Sequence, residues 1–178
     1  MSSELFTIAC STLTMLIIQI VAVSTNNVIG KDYSLLWNLP NDMKWFKNKT
    51  WALPVVMGRK TFKSLGYKPM GGRMNVVITR QPDFKADGMT VVNTIEAAIE
   101  FCKQQSYNEV MIIGGGEIYK QSLPYCNKIF LTRVDAIVEG DTYYPELDIN
   151  QWQLAFEDKH AANEKHAYAY NFQTWIRK

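Results

Sequence analysis

A chain of 178 residues with 47% hydrophobic and 20% charged residues has an ordinary globular composition, and it is long enough to bury a core without metals or disulfides. Its formal net charge of +2 is too small to indicate binding to nucleic acid or to a membrane surface. The three cysteines form no CxxC pair and the two histidines lack zinc-ligand spacing, so the sequence predicts reduced thiols, a cytoplasmic location and no metal site.

The first feature along the chain is a largely uncharged segment over residues 5–23, which could be a signal or anchor segment. No Lys or Arg precedes it, Glu4 stands at its start, and several Ser, Thr and Gln residues interrupt it. Residues 16–23 instead form a short β-branched run that is typical of a buried strand. We therefore expect an N-terminal extension over residues 1–14 and one domain over residues 15–178.

Hydrophobic runs and turn residues alternate along the rest of the chain. Strands are predicted at residues 16–23, 53–57, 74–79, 89–92, 110–113 and 128–134, and an antiparallel pair at 152–158 and 166–176. Helices are predicted at residues 40–49, in a short segment ending at Leu65, after an N-cap at Thr94, and from Glu117 to about Leu123. This alternation predicts an α/β fold with a central, mostly parallel twisted sheet, an antiparallel C-terminal strand and helices on both faces. We expect His160 and His166 to face solvent in the last hairpin.

The helix predicted at residues 40–49 carries a carboxylate in an apolar context. Pro40 suits the first helical position, where a missing N–H costs nothing, and this places Asp42 in the first turn. Asp42 then shares a helix face with Phe46, while Lys44 and Lys47 can turn to water. A carboxylate in apolar surroundings needs a hydrogen-bonding partner, which a cationic ligand would provide. Alternatively, Asp42 merely complements the helix dipole.

Three predicted strands end in residues that suit phosphate groups. Two ends, at residues 57–61 and 113–117, run from a strand through glycine into a helix, where free backbone N–H groups attract anions. The third ends in Thr79 and Arg80. Because ligands of parallel sheets bind at the carboxyl ends of the strands, the three ends predict a dinucleotide site. Arginine binds phosphate bidentately, so Arg59 and Arg80 favour NADPH over NADH. Taken singly, the three glycines are equally explained as a plain tight turn, and Arg59 and Lys60 as solvated charges.

The chain resembles the bacterial type of dihydrofolate reductase over residues 16–178. Six blocks occur in the order and spacing of that family: VIG at 28–30, WNLPNDM at 37–43, MGRKT at 57–61, GR at 72–73, IGGG at 113–116 and EGDT at 139–142. The resemblance implies NADPH-dependent reduction of 7,8-dihydrofolate to tetrahydrofolate for one-carbon metabolism, binding of antifolate inhibitors, and a monomer without nucleic-acid or membrane partners. It also implies a cis peptide at Gly114–Gly115.

The resemblance assigns residues to three groups. The catalytic group is the pterin-binding carboxylate, its hydroxyl partner, a tryptophan and a lid residue over the nicotinamide: Asp42, Thr132, Trp37 and Leu35. The substrate group lines the pterin pocket and binds the α-carboxylate through Arg73: Ile20, Ala22, Asp42, Met43, Phe46, Ser64, Leu65, Met70, Arg73, Ile113, Tyr119 and Thr132. The cofactor group holds NADPH: Ala22, Ile29, Gly30, Gly58, Arg59, Lys60, Thr61, Thr79, Arg80, Gly114, Gly115, Gly116, Glu117, Ile118 and Tyr119.

Two residues depart from the family pattern. Leu36 stands where a proline often precedes the tryptophan, which predicts altered motion of the lid, residues 24–39. Glu117 stands where many bacterial members have an arginine near the adenosine phosphate, and Lys60 is available to compensate. Two other functions fit the fold: a pyrimidine reductase of riboflavin synthesis, and a silent dinucleotide or antifolate binder. The block from Trp37 to Asp42 disfavours the first, and the combination of Asp42, Thr132 and Arg73 disfavours the second.

Overall fold

The computed structural model describes residues 15–178, so the expected extension over residues 1–14 lies outside the described residues. Within residues 15–178 there are ten strands: β1 (Leu16–Ser24), β2 (Val28–Gly30), β3 (Pro54–Gly58), β4 (Met74–Ile78), β5 (Thr90–Val92), β6 (Glu109–Ile112), β7 (Lys128–Val134), β8 (Thr142–Tyr143), β9 (Trp152–His160) and β10 (Tyr170–Arg177). The same residues contain four α-helices: α1 (Pro40–Thr50), α2 (Arg59–Ser64), α3 (Ile95–Gln104) and α4 (Gly116–Ser122).

Eight of the strands form one sheet in the order β5-β4-β3-β6-β1-β7-β10-β9. All neighbours are parallel except β10, which is antiparallel to both β7 and β9. This confirms the predicted sheet with its antiparallel C-terminal pair. Strand β1 lies in the middle, between β6 and β7, so its carboxyl end meets several other strand ends at one edge.

The helices cover both faces of this sheet, as predicted. Alternate residues of β1 enter different cores: Ile17 and Val21 belong to one cluster, and Ile18 and Ile20 to the other. The first cluster also contains buried residues of α3 and α4, whereas α1 and α2 contribute to the second. Because successive strand residues point to opposite faces, the two helix pairs lie on opposite sides of the sheet.

Helix starts follow the local sequence signals. α1 begins at Pro40 with Asp42 in its first turn, and Lys44 and Lys47 are exposed, as expected. Thr94 caps α3, because its side chain accepts a hydrogen bond from the backbone N–H of Ala97 at 3.1 Å. None of the helices in residues 15–178 combines the length and apolar character needed to cross a membrane.

The last hairpin differs from the prediction in two respects. Strand β10 begins at Tyr170 rather than at residue 166, and His166 is buried, with 4% of its surface exposed, rather than facing solvent. The physical reason is a tight turn in which the backbones of Asn163 and His166 exchange hydrogen bonds at 2.9 and 3.0 Å. This turn folds the imidazole against the start of α1. His160 is only half-buried.

A second, two-stranded sheet was not predicted. Strands β2 and β8 pair antiparallel, linking the segment 28–30 to residues 142–143. Both strands are very short, and their residues come from segments that resemble loops in the sequence. The pairing fixes the base of the predicted lid, residues 24–39.

Candidate active site

A hydrogen-bonded pair joins the first turn of α1 to strand β7. The Thr132 hydroxyl donates to Oδ1 of Asp42 at 2.6 Å, across 90 residues of chain. Thr132 is 1% exposed and lies beside Ala22 of β1 in the sheet register. The pair therefore lies near the carboxyl ends of β1 and β7, where a parallel sheet binds its ligands.

The carboxyl group of Asp42 has an unusual electrostatic environment. Desolvation by burial raises its pKa above the ordinary value, and the Thr132 hydrogen bond partly opposes this effect. Burial, with the charge of Asp42, also raises the pKa of the Tyr119 phenol, whose O–H donates to the carbonyl of Ile20 at 2.6 Å. A carboxylate has about four acceptor positions, and Thr132 occupies one. Asp42 can therefore receive two further donors from a cationic, planar ligand.

The elements that carry Asp42 and Thr132 also contribute to two apolar clusters. Ile20 and Ile113 are buried in the same cluster, against which Phe46, Leu65 and Met70 pack partly exposed. Ala22 packs on the neighbouring cluster. An apolar wall beside one oriented polar group is the usual composition of a small-molecule site.

The neighbouring cluster also contains Trp37, 8% exposed, whose indole Nε1 is buried with no hydrogen-bond partner in residues 15–178. Buried N–H groups are normally paired, so a ligand group or an ordered water is the fitting partner. The indole Nε1 of Trp45 is likewise buried with no hydrogen-bond partner in residues 15–178.

Arg73 is held at the far end of α1 by three hydrogen bonds. Its guanidinium donates to the hydroxyl of Thr50 and to the backbone carbonyls of Gly71 and Lys47, at 2.9, 2.9 and 3.1 Å. A guanidinium has five N–H donors, so two remain for a carboxylate. Met43, on the same helix, is 42% exposed.

A cavity of about 510 Å³ opens beneath the lid. Predicted residues of all three groups line it: Ala22, Ile29, Gly30, Leu35, Lys60, Thr61, Ser64, Ile113 and Tyr119. Leu35 is 61% exposed at its rim. The cavity therefore runs from Ala22 and Ile113 to the start of α2, whereas Asp42, Thr132 and Arg73 are not among the residues that line it.

The lid contacts two other parts of the chain. The backbone N–H of Asp32 donates to Oδ2 of Asp141 at 3.1 Å, and the N–H of Asp141 donates to the Gly30 carbonyl at 3.2 Å. On the other side, the Lys63 ammonium lies 4.9 Å from the ring centroid of Tyr33. These contacts hold the lid over the cavity in this structure.

The strand ends of β3 and β6 meet at a glycine turn. The Gly58 N–H donates to the Gly114 carbonyl at 2.7 Å, and the Gly114–Gly115 peptide is cis, as the resemblance implies. Gly114 has φ +104°, and a Cβ there would lie 2.7 Å from the Tyr119 ring. Only glycine fits this turn, which brings the backbone close to the cavity.

A second cavity, of about 620 Å³, continues from the glycine turn. Eight predicted cofactor residues line it: Gly58, Arg59, Lys60, Thr79, Arg80, Gly115, Glu117 and Ile118. Arg59, Lys60 and Arg80 give three positive charges against one negative charge from Glu117. Glycine N–H groups, a hydroxyl and these cations fit the phosphate groups of a dinucleotide.

A family model described as dihydrofolate reductase matches residues 16–177. The chain belongs to the dihydrofolate reductase family. It is 41% identical over 159 residues to dihydrofolate reductase of Haemophilus influenzae, covering 89% of this chain and 97% of the relative. It is 42% identical over 164 residues to dihydrofolate reductase type 3 of Salmonella typhimurium, covering 92% and 99%. A solved Enterococcus faecalis dihydrofolate reductase, complexed with NADP(H) and RAB-propyl, superimposes with TM-score 0.86 at 34% identity, covering 92% and 96%.

As in the predicted dihydrofolate reductase site, the structure brings most of the assigned residues to one edge of the sheet. The structure adds the surroundings of three assigned residues. Ser64, assigned to the substrate, lines the cavity beside Lys60 and Thr61, which are assigned to the cofactor. Gly116 packs under β8, where a Cβ would lie 2.8 Å from the Tyr143 carbonyl, and Met43 extends towards solvent.

Four residues around the lid were not predicted from the sequence. Asp32, Tyr33, Asp141 and Thr142 also line the first cavity. Asp141 and Thr142 belong to the EGDT block at 139–142, one of the six blocks that resemble the family. Membership of that block was the sequence signal that could have identified them as site residues. No sequence pattern indicated the contact between Tyr33 and Lys63, because it depends on how the lid folds over α2.

Proposed function

We propose that this cleft carries out the NADPH-dependent reduction of 7,8-dihydrofolate to 5,6,7,8-tetrahydrofolate, with Asp42 as the group that binds the pterin. The observation that carries the proposal is the partly desolvated carboxylate of Asp42, hydrogen-bonded to Thr132 at the edge of the sheet that also holds the glycine turn. The pyrimidine-reductase and silent-binder interpretations do not account for this carboxylate together with Arg73 and the lid.

Asp42 binds and orients the substrate. A pterin presents a 2-amino group and a ring N–H side by side, and these match the two oxygens of one carboxylate. Ionised Asp42 stabilises the cation that forms when the ring N5 takes a proton, which makes the ring a better hydride acceptor. Thr132 fixes the carboxylate, while the apolar wall of Ile20, Phe46 and Ile113 contacts the ring.

Arg73 and the lid complete the substrate site. The two free N–H donors of Arg73 suit the α-carboxylate of the glutamate tail, because a guanidinium binds a carboxylate bidentately. The lid, with Leu35 at the cavity rim, excludes bulk water and aligns the reacting rings. Since no second acid is placed beside Asp42 by the neighbouring sequence, a water molecule brings the proton to N5.

The cofactor residues fit NADPH. When bound, NADPH supplies the hydride, and the protein contributes binding and orientation. Gly114, Gly115 and Thr61 let the backbone and a hydroxyl approach the diphosphate, and Tyr119, whose pKa the charge of Asp42 helps to raise, lines the cavity. Arg59, Lys60 and Arg80 bind the additional phosphate that distinguishes NADPH from NADH, with Glu117 opposing them.

A stopped-flow absorbance assay of NADPH oxidation tests this function. The purified protein should oxidise NADPH rapidly with 7,8-dihydrofolate and leave a ribosylamino-pyrimidine unreduced. Absence of turnover with dihydrofolate, together with tight NADPH binding, would identify a silent binder. Turnover of the pyrimidine alone would identify the riboflavin-type reductase.

We further propose that a 2,4-diaminopyrimidine antifolate binds at Asp42 and that the protein acts as a cytoplasmic monomer. The diaminopyrimidine presents the same pair of donors as the pterin. Within residues 15–178, Cys102 and Cys126 are buried free thiols, in keeping with a reducing compartment. Inhibition titrations, light scattering and fractionation of source cells test the three statements.

A further inference from the structure

Helix α1, which carries Asp42, begins without a cap from its own sequence. The residue in the cap position is Leu39, which has no side chain able to accept a hydrogen bond, and Pro40 has no N–H. The first free backbone donor of the helix is therefore the N–H of Asn41, next to Asp42. Uncapped donors at a helix start need an acceptor from elsewhere.

His166 supplies that acceptor from the last hairpin. Its Nε2 accepts the Asn41 N–H at 3.3 Å, although 125 residues separate the two. A second bond makes the same connection, because the Asn41 side-chain amide donates to the Tyr170 hydroxyl at 2.8 Å. His166 is 4% exposed, and its ring lies 5.4 Å from that of Tyr170.

The surrounding turn selects the tautomer that this contact requires. Oδ1 of Asn163 accepts the backbone N–H groups of Lys165 and His166, at 2.9 and 3.1 Å, which identifies it as the amide oxygen. The same oxygen lies 3.0 Å from Nδ1 of His166. Nδ1 therefore carries the proton, and Nε2 has a free lone pair for Asn41.

We infer that His166 is a positioning residue for the reduction, because it caps α1 from the C-terminal hairpin and thereby fixes the carboxylate of Asp42 against Thr132. The inference rests on the proposed function. It gives the hairpin a role at the pterin end of the site but none at the cofactor end, since the contacts of His166 named above all lead to α1, Tyr170 or its own turn.

Three variants test this role. His166→Leu removes the acceptor, His166→Gln retains an acceptor oxygen at a similar reach, and Asn163→Ala leaves the imidazole but removes the group that selects its tautomer. The matched control is His160→Leu in the same hairpin. The His160 ring also stacks on Tyr170, at 4.8 Å, but its hydrogen bond is to Asp158 at 3.0 Å rather than to α1.

The readouts are the single-turnover rate of NADPH oxidation at saturating dihydrofolate, the Kd of folate, the Kd of NADPH and the melting temperature. We expect His166→Leu to slow hydride transfer about 10-fold and to raise the Kd of folate about 10-fold. A misplacement of about 1 Å can cost on the order of 100-fold in rate, and the loss of one cap should shift Asp42 by less than that. Asn163→Ala should show a smaller loss in the same two quantities. NADPH affinity should stay unchanged, and His166→Gln and His160→Leu should remain near wild type.

Four results would overturn the role: wild-type behaviour of both His166→Leu and Asn163→Ala, an equal loss in His160→Leu, failure of His166→Gln to restore the rate, or a parallel loss of NADPH affinity. If His166→Leu does not fold, Asn163→Ala and His166→Gln still decide the question. An inactive wild-type protein would instead contradict the proposed function, whereas an active protein indifferent to these changes would contradict only the role of His166.

Discussion

Replacing Asp42 with asparagine separates the chemistry of the site from the stability of the fold. The carboxylate accepts one hydrogen bond from Thr132 at 2.6 Å and has positions left for two donors of the pterin. Asparagine keeps an acceptor for Thr132, but its amide presents N–H donors where the second oxygen was. One contact to the pterin is therefore replaced by opposed N–H groups and the other loses its charge assistance, while the contact with Thr132 remains.

The magnitude follows from those two contacts. Charge-assisted hydrogen bonds contribute about 1.5–3 kcal/mol each and neutral ones about 0.5–1.5 kcal/mol, so losing one contact and the charge of the other costs about 2.5–4.5 kcal/mol, or on the order of 10²–10³-fold in kcat/KM. Single-turnover oxidation of NADPH at sub-saturating dihydrofolate and neutral pH measures this loss. A rate within a few-fold of wild type would refute the assignment of Asp42.

The same substitution should lower activity but raise the stability of the folded protein relative to wild type at neutral pH. Burial raises the pKa of Asp42 above 3.8, so the folded state holds this proton more tightly than the unfolded chain does. The stabilisation from protonated Asp42 is complete below the unfolded pKa and is lost as pH rises through the folded pKa. An asparagine side chain does not ionise, so Asp42→Asn should gain stability relative to wild type as pH rises from about 3 to 7. Urea denaturation across this range measures the trend, and a variant that becomes relatively less stable with rising pH contradicts the desolvation argument.

Three further substitutions address the rest of the site. Arg73→Leu should raise the KM for dihydrofolate at least about 10-fold, since a charge-assisted bond is lost, and Arg73→Lys should restore only part of it; an equal loss with a pterin lacking glutamate would assign Arg73 another role. Arg59→Ala should narrow the preference for NADPH over NADH in steady-state kinetics, and an unchanged ratio would place that discrimination on Lys60 or Arg80. Gly114→Ala should destabilise the protein by several kcal/mol, measured by urea denaturation, because its φ is +104° and the added Cβ would lie 2.7 Å from the Tyr119 ring; wild-type stability would mean that the turn tolerates a side chain.

The sequence predicted those features that depend on local patterns. The β-branched run of β1, the proline that starts α1 and the threonine that caps α3 each specify an element through short-range physical chemistry. Glycine at strand ends predicted the turn at Gly114, because a backbone that must approach a ligand closely excludes a side chain. The family blocks then placed the elements around one edge of the sheet.

Features that depend on distant contacts were not predictable in this way. His166 occurs among polar residues of a hairpin, and its burial arises from a turn with Asn163 and from packing against a helix 125 residues away. His166 precedes Tyr170 and Phe172 by an even number of residues, so an extended strand would place all three on one face. This spacing was a weak signal that His166 is buried. The pairing of β2 with β8 likewise joins two segments too short to have a pattern of their own.

The central place of β1 determines when the molecule can acquire its activity during synthesis. β1 pairs with β6 and β7, whose residues follow it by about 90 to 110 positions, and the sheet then continues into β10 at the end of the chain. The nascent polypeptide therefore holds an apolar strand without its neighbours until those later segments have been translated. Translation arrested before β10 should release a chain that depends on chaperones and cannot bind folate.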